Sequence, residues 1–129
     1  MRCKRYTIFN DIIKHIANGK AIGTLDTRPK KYKFGVNNYG EIPGFINRAD
    51  GDPWDIVVPG YPELPTKVPF RIKKIDGIVY MPNGNHKLIA ELNCNKRRAV
   101  KEKRIKEINT YARKYNQYTG IKPLVIFFS

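Results

Sequence analysis

The 129-residue sequence contains only two cysteines, two histidines and one tryptophan, and it sets 11 acidic residues against 25 Lys and Arg. Cys3 and Cys94 are too few and too far apart for a disulfide framework or a thiolate metal site, so both read as ordinary reduced thiols. His15 and His86 have no partners at metal-ligand spacing and are left without a metal role. No apolar run approaches the length of a membrane span. The basic N-terminus, MRCKRYTIFNDIIKHIANGK, lacks the continuous apolar stretch and small-residue cleavage site of a signal peptide. A cytoplasmic protein with no membrane partner is the expectation. Internal repeats and low-complexity linkers are also missing, which at this length predicts one domain spanning residues 1–129.

What is present is a globular composition, 41% hydrophobic and 12% aromatic, carrying a net charge of +14. That charge is uneven. Residues 1–40 hold nine Lys/Arg against two acids, and residues 94–129 hold ten against two. Residues 41–63 invert the balance, with Glu41, Asp50, Asp52, Asp55 and Glu63 against Arg48 alone. A uniformly basic surface points to a polyanionic partner. A basic surface around one acidic pocket points to an anion bound through metal ions.

Hydrophobic spacing supplies the elements. Ile8, Ile12 and Ile16 recur at helical spacing, predicting a short N-terminal helix over residues 7–18 with Gly19 as its C-cap. Residues 20–92 read as short strands broken by Gly, Pro and Asn: Lys20–Asp26, Tyr32–Val36, Asp55–Val58, Val68–Ile75, Gly77–Met81 and Lys87–Leu92. Turns fall at Asp76–Gly77 and Asn83–Gly84. Residues 96–118 are free of Gly and Pro, and Val100, Ile105, Ile108, Ala112 and Tyr115 form an apolar stripe opposite Lys and Arg. That pattern predicts an amphipathic helix ended by Gly120. Lys122–Phe128 follows as a final strand, which Pro123 would keep at an edge. The fold class is mainly β (α+β): a small OB-like closed barrel with one long C-terminal helix.

Three acids crowd into DGDPWDIVVPG, residues 50–60. Like charges this close repel unless a cation sits among them. In an extended segment Asp50 and Asp52 point the same way, and a turn at Pro53 would bring Asp55 back towards them. Hard oxygen ligands of this kind suit Mg²⁺ or Mn²⁺. The competing reading is a solvated surface turn, since Asp, Gly and Pro are ordinary turn residues. Just upstream lies NNYGEIPGFI, residues 37–46.

NYGEIP followed by DGDPWDIVVPGYP resembles the signature region of the Mg²⁺-dependent soluble inorganic pyrophosphatases with the OB-type barrel. The likeness continues through FRIKKIDGIVYMPNGNHKLIAEL and covers roughly residues 37–92 in order. It implies hydrolysis of inorganic pyrophosphate, or another phosphoanhydride, with Mg²⁺ as cofactor and Mn²⁺ as the alternative. By the same resemblance Asp50 and Asp55 would be ligands of the principal metal. Asp52, also a ligand, would help deprotonate the attacking water. Tyr39 would hydrogen-bond near the leaving phosphate, and Lys87, Arg28 and Tyr115 would contact phosphate.

Competing structural readings stand beside each residue: Tyr39 beside a turn, Lys87 and Arg28 as two of many basic residues, Tyr115 in the core of its helix. The chain departs from the family at MPNGNHK, where two aspartates give way to Asn83 and Asn85, weak ligands that bring no charge. Glu41 and Glu91 could supply carboxylates instead. The alternative function is therefore a catalytically impaired pyrophosphatase-fold protein that binds nucleic acid or another polyanion. The run Lys96, Arg97, Arg98, Lys101, Lys103 and Arg104 would be its contact, or else a solvated helix face. A third reading is a subunit that binds Mg-phosphate compounds without turnover. A homo-oligomer is compatible with all three.

Overall fold

A computed structural model describes residues 9–26 and 34–128. In chain order these form α1 (Phe9–Ala17), β1 (Ile22–Leu25), β2 (Tyr39–Ile46), β3 (Pro53–Val57), β4 (Pro69–Tyr80), β5 (Lys87–Leu92), α2 (Lys101–Thr119) and β6 (Leu124–Phe127). The sheet order is β1-β2-β3-β5-β4-β6, and a further β1–β4 pairing closes the first five strands into a barrel. Only β3 and β5 run parallel; the other pairs are antiparallel. The expected OB-like barrel with a long C-terminal helix is the architecture observed.

Strand alternation sorts the side chains between two apolar clusters. Trp54, Ile56 and Val58 point inward with Leu25, Ile42, Ile72, Leu88 and Ala90, and Ile12 of α1 packs on the same interior cluster. Val57, Val79 and Ile89 point outward, where Ile108 and Tyr111 of α2 cover them. Each fully buried Ile or Leu contributes about 1.5–3 kcal/mol relative to leaving it in water. The barrel is thus a wall with apolar surface on both sides, and α2 seals the outer one.

Several local expectations give way to tertiary context. Asp76–Gly77 is not a turn: β4 runs unbroken through it, with a bulge between Ile75 and Gly77. A Cβ on Gly77 would lie 2.2 Å from the Ile126 carbonyl oxygen, so this glycine serves the close approach of β6. Pro53 begins β3 instead of forming a turn. Residues 37–46, given no strand from the sequence, contain β2, whose register shifts between Ile42 and Ile46, around Pro43 and Gly44. Phe34 and Gly35 form a turn, and the rest of the strand expected at Tyr32–Val36 begins outside the described residues.

The C-terminal helix starts at Lys101, five residues later than its Gly/Pro-free window, because Ala99 is held off the helix by donating its N–H to the Gly60 carbonyl (2.7 Å). Val100 is exposed rather than part of the stripe, and Tyr111, absent from the expected stripe, is its most buried aromatic. Gly120 ends the helix in the left-handed conformation, as expected. Among the described residues no helix is long and apolar enough to cross a membrane.

Candidate active site

The site is built on one row across the outer barrel face. Thr24 of β1 pairs with Glu41 of β2, Glu41 with Asp55 of β3, and Asp55 with Lys87 of β5. Residues opposite one another in a sheet project from the same face. Carboxylate, carboxylate and ammonium therefore stand side by side on rigid strands. Two residues before Glu41, Tyr39 projects from that face and is buried. Its partner Gly40 is a glycine because a Cβ there would lie 2.0 Å from the Thr24 carbonyl oxygen. The Tyr-Gly pair of the sequence thus fixes the tyrosine by letting β1 and β2 touch.

Lys87 Nζ donates to Asp55 Oδ2 at 2.6 Å, and the lysine side chain is only 4% exposed against 20% for the aspartate. The same ammonium lies 5.8 Å from the centroid of the Tyr39 ring, within cation–π range. A buried ammonium needs a charged partner, and Asp55 provides it. Two of the expected phosphate-site residues, Lys87 and Tyr39, are therefore in one place with Asp55. Lys87 takes one carboxylate oxygen of the expected metal ligand.

Asp50 and Asp52 are exposed on the loop between β2 and β3. The Asp52 N–H donates to Asp50 Oδ1 (2.9 Å), the local turn bond typical of aspartate. Asn47 holds the loop together: its Oδ1 accepts the Ala49 N–H at 3.0 Å, and its Nδ2 donates to the Gly84 carbonyl at 3.3 Å. That last bond ties the aspartate loop to the turn bearing Asn83 and Asn85. In the turn, Asn83 Oδ1 accepts the Asn85 N–H (3.0 Å), while Asn85 Oδ1 is buried without a hydrogen-bond partner. His86 closes the turn by accepting the Met81 N–H at Nδ1 (2.9 Å). Burial, then the neighbouring Lys87 charge, holds this imidazole below its ordinary value.

Electrostatics link loop and row. Burial, followed by repulsion from Asp26, Asp55 and Asp52, pushes the Glu41 carboxyl above its ordinary value. Four acids thus act on one patch, with Lys87 as the cation bonded to Asp55. The donors are hard oxygens, with one orphaned amide oxygen on the adjoining turn, and this chemistry fits Mg²⁺ or Mn²⁺. Among the described residues, however, no three Asp, Glu, His or Cys side chains stand close enough to share one ion.

The remaining expectations divide. Tyr115 packs in an aromatic cluster, its ring 5.3 Å from Phe34 and 5.8 Å from Tyr111. Arg28 and Cys3 lie outside the described residues. Glu91 is 3.5 Å from Arg98, in an ion pair away from the row. Glu41 enters more centrally than its sequence suggested; the signal was its place two residues after the Tyr39 motif. Asn38 was missed altogether. It accepts the Leu64 N–H (2.9 Å) and donates to the Pro62 carbonyl (2.9 Å), pinning the loop after β3 to the start of β2.

No protein-family model matches the chain, and no curated protein sequence does. The fold is similar to a solved structure of an inorganic pyrophosphatase from Coxiella burnetii, with a TM-score of 0.51 at 19% identity over 71% of this chain. This chain spans 61% of the length of that one, so the shared feature is a pyrophosphatase-like barrel fold.

Proposed function

We propose that this chain hydrolyses a phosphoanhydride, with inorganic pyrophosphate as the substrate. The observation that carries the reading is the Glu41–Asp55–Lys87 row beside Tyr39, on a barrel similar to that of an inorganic pyrophosphatase. Glu41 and Asp55 on the strands, and Asp50 and Asp52 on the adjoining loop, would each hold Mg²⁺ or Mn²⁺ as a pair, with water, phosphate oxygens and the amide oxygens of Asn83 and Asn85 completing the shell. The ion would supply neutralisation of phosphate charge and acidification of water.

Within this reading the protein's own groups divide the work. Asp52, exposed on its loop, accepts the proton of the attacking water. Lys87, positioned by Asp55 and the Tyr39 ring, offers fixed positive charge to a phosphate at the row. The Tyr39 hydroxyl donates towards the leaving phosphate. Asn83 and Asn85, in place of acids, lower the negative charge available to cations, so the requirement for Mg²⁺ should be steep.

The test is phosphate release from pyrophosphate by purified protein, with and without Mg²⁺ or Mn²⁺, against Asp52→Asn. Metal-dependent release abolished in that variant, with the fold intact by circular dichroism, is the expected result. Turnover that survives Asp52→Asn removes the proposed base, and no release with either metal removes the hydrolase reading.

A further inference from the structure

A second charged region lies outside this site. Residues 97–105 lead into and begin α2, and two adjoining concavities flank them. One, of about 90 Å³, has an apolar floor containing Ile89 and Phe127 and a rim of Lys74, Lys101, Arg104 and Phe128. The other, of about 320 Å³, is more open and is lined by Arg97, Arg98 and Lys103. Pro59 lines the first and its neighbour Gly60 the second, so the two concavities adjoin and together bear six cations, a region referred to below as the groove.

These cations are not accounted for by the stability of the helix. Lys101, Lys103 and Arg104 occupy the first turn of α2, where the helix dipole disfavours positive charge, and the last turn carries no basic residue. Two arginines have internal work. Arg98 pairs with Asp76 and Glu91, and Arg104 donates to the Ala99 carbonyl at 2.6 Å. Arg97, Lys101, Lys103 and Lys74 are exposed and form no ion pair among the described residues. Asp76, the acid in the groove, is neutralised by Arg98, which leaves Glu102 as the opposing charge in that turn. Phe128 stands 40% exposed at the rim, an aromatic face among lysines.

We infer that this groove binds single-stranded nucleic acid, with Arg97, Lys101, Lys103 and Lys74 on the phosphates and a base stacked on Phe128. Clustered cations supply a salt-sensitive backbone contact, and an exposed ring supplies a stacking platform that every base can use. A duplex keeps its bases stacked away from such a ring, and a membrane surface is flat where this groove is concave. The inference stands apart from the hydrolase reading, since the groove and the acidic row share no residue.

The experiment is fluorescence anisotropy of a labelled 12-nucleotide oligouridylate with the whole chain, titrated in 50–200 mM KCl. The same length of duplex and vesicles of phosphatidylserine and phosphatidylcholine serve as competitors. Binding should weaken with salt, and Arg97→Ala/Lys101→Ala/Lys103→Ala should reduce the slope of log affinity against log salt by about 2. Phe128→Ala should weaken binding by about tenfold without changing that slope. Asp52→Asn should bind as the unaltered chain does, and the triple variant should keep whatever pyrophosphate hydrolysis the unaltered chain shows. The two assays therefore fail independently. Absence of binding at about 100 μM protein, or an unchanged salt slope in the triple variant, overturns the inference. Competition by duplex or vesicles equal to that by the single strand, with Phe128→Ala neutral, also overturns it.

Discussion

The acidic row and the cationic groove are built on the same plan with opposite signs. In each, one counter-charge is bonded inside the cluster: Lys87 to Asp55, in the row with Glu41, and Asp76 to Arg98. The excess charge is left at the surface. They differ in what carries that excess. Glu41 and Asp55 are short side chains on paired strands, fixed in register, whereas Arg97, Lys101 and Lys103 are long side chains on a connecting segment and a helix end. Fixed, mutually repelling acids suit a small ion and a defined geometry. Exposed, flexible cations suit a long polyanion that needs no single geometry. A net charge of +14 conceals the smaller and more constrained acidic patch.

Breaking the internal ion pair of each region, by removing its cation, should have the largest effects. Lys87→Met leaves Asp55 beside Glu41 with no ammonium, and unfolding in urea should show a loss of about 3 kcal/mol. An unchanged midpoint would mean that the pair does not hold the row. Arg98→Met strands Asp76 and Glu91, and should cost about 2 kcal/mol, less than Lys87→Met because Arg98 is the more exposed cation. The reverse ranking would show that the groove, not the row, is the constrained region.

Glu107 offers a smaller effect with a pH signature. Its Oε1 accepts the Gly60 N–H (3.2 Å), its Oε2 is buried without a partner, and burial raises its carboxyl above the ordinary value. A raised carboxyl favours folding while protonated. Its contribution is therefore full below the ordinary glutamate range and is lost as pH rises through its own higher value. Glu107→Gln keeps the acceptor and should flatten that slope while changing stability at pH 7 by under about 1 kcal/mol. A slope that persists in the variant would assign the titration elsewhere. Least of all, Lys103→Ala should move stability by no more than about 0.5 kcal/mol, and a larger loss in thermal unfolding would give this exposed cation a structural role.

Legibility from sequence followed the range of the interactions. Lys87–Leu92 has the bounds expected of it, and Gly120 ends α2, because alternation and a left-handed cap are local properties. Asp76–Gly77 misled because the same dipeptide that suits a turn also permits the contact with Ile126, which lies far along the chain. Asp50, Asp52 and Asp55 were visible as a cluster, yet their spacing gave no hint that Lys87, 32 positions after Asp55, would bond to one of them. Asn38 carried no periodic signal, since its partners are backbone groups of another loop.

The order of residues along the chain was enough for the barrel-and-helix class and for the inversion of charge in residues 41–63. Hydrophobic period, breakers and composition act through near neighbours, and those are written in order along the chain. It took the assembled fold to put Glu41, Asp55 and Lys87 in one row, Tyr115 in an aromatic cluster, and six cations around two adjoining concavities. Those outcomes depend on strand register and barrel closure, and register is fixed by the sum of many distant contacts rather than by any local pattern.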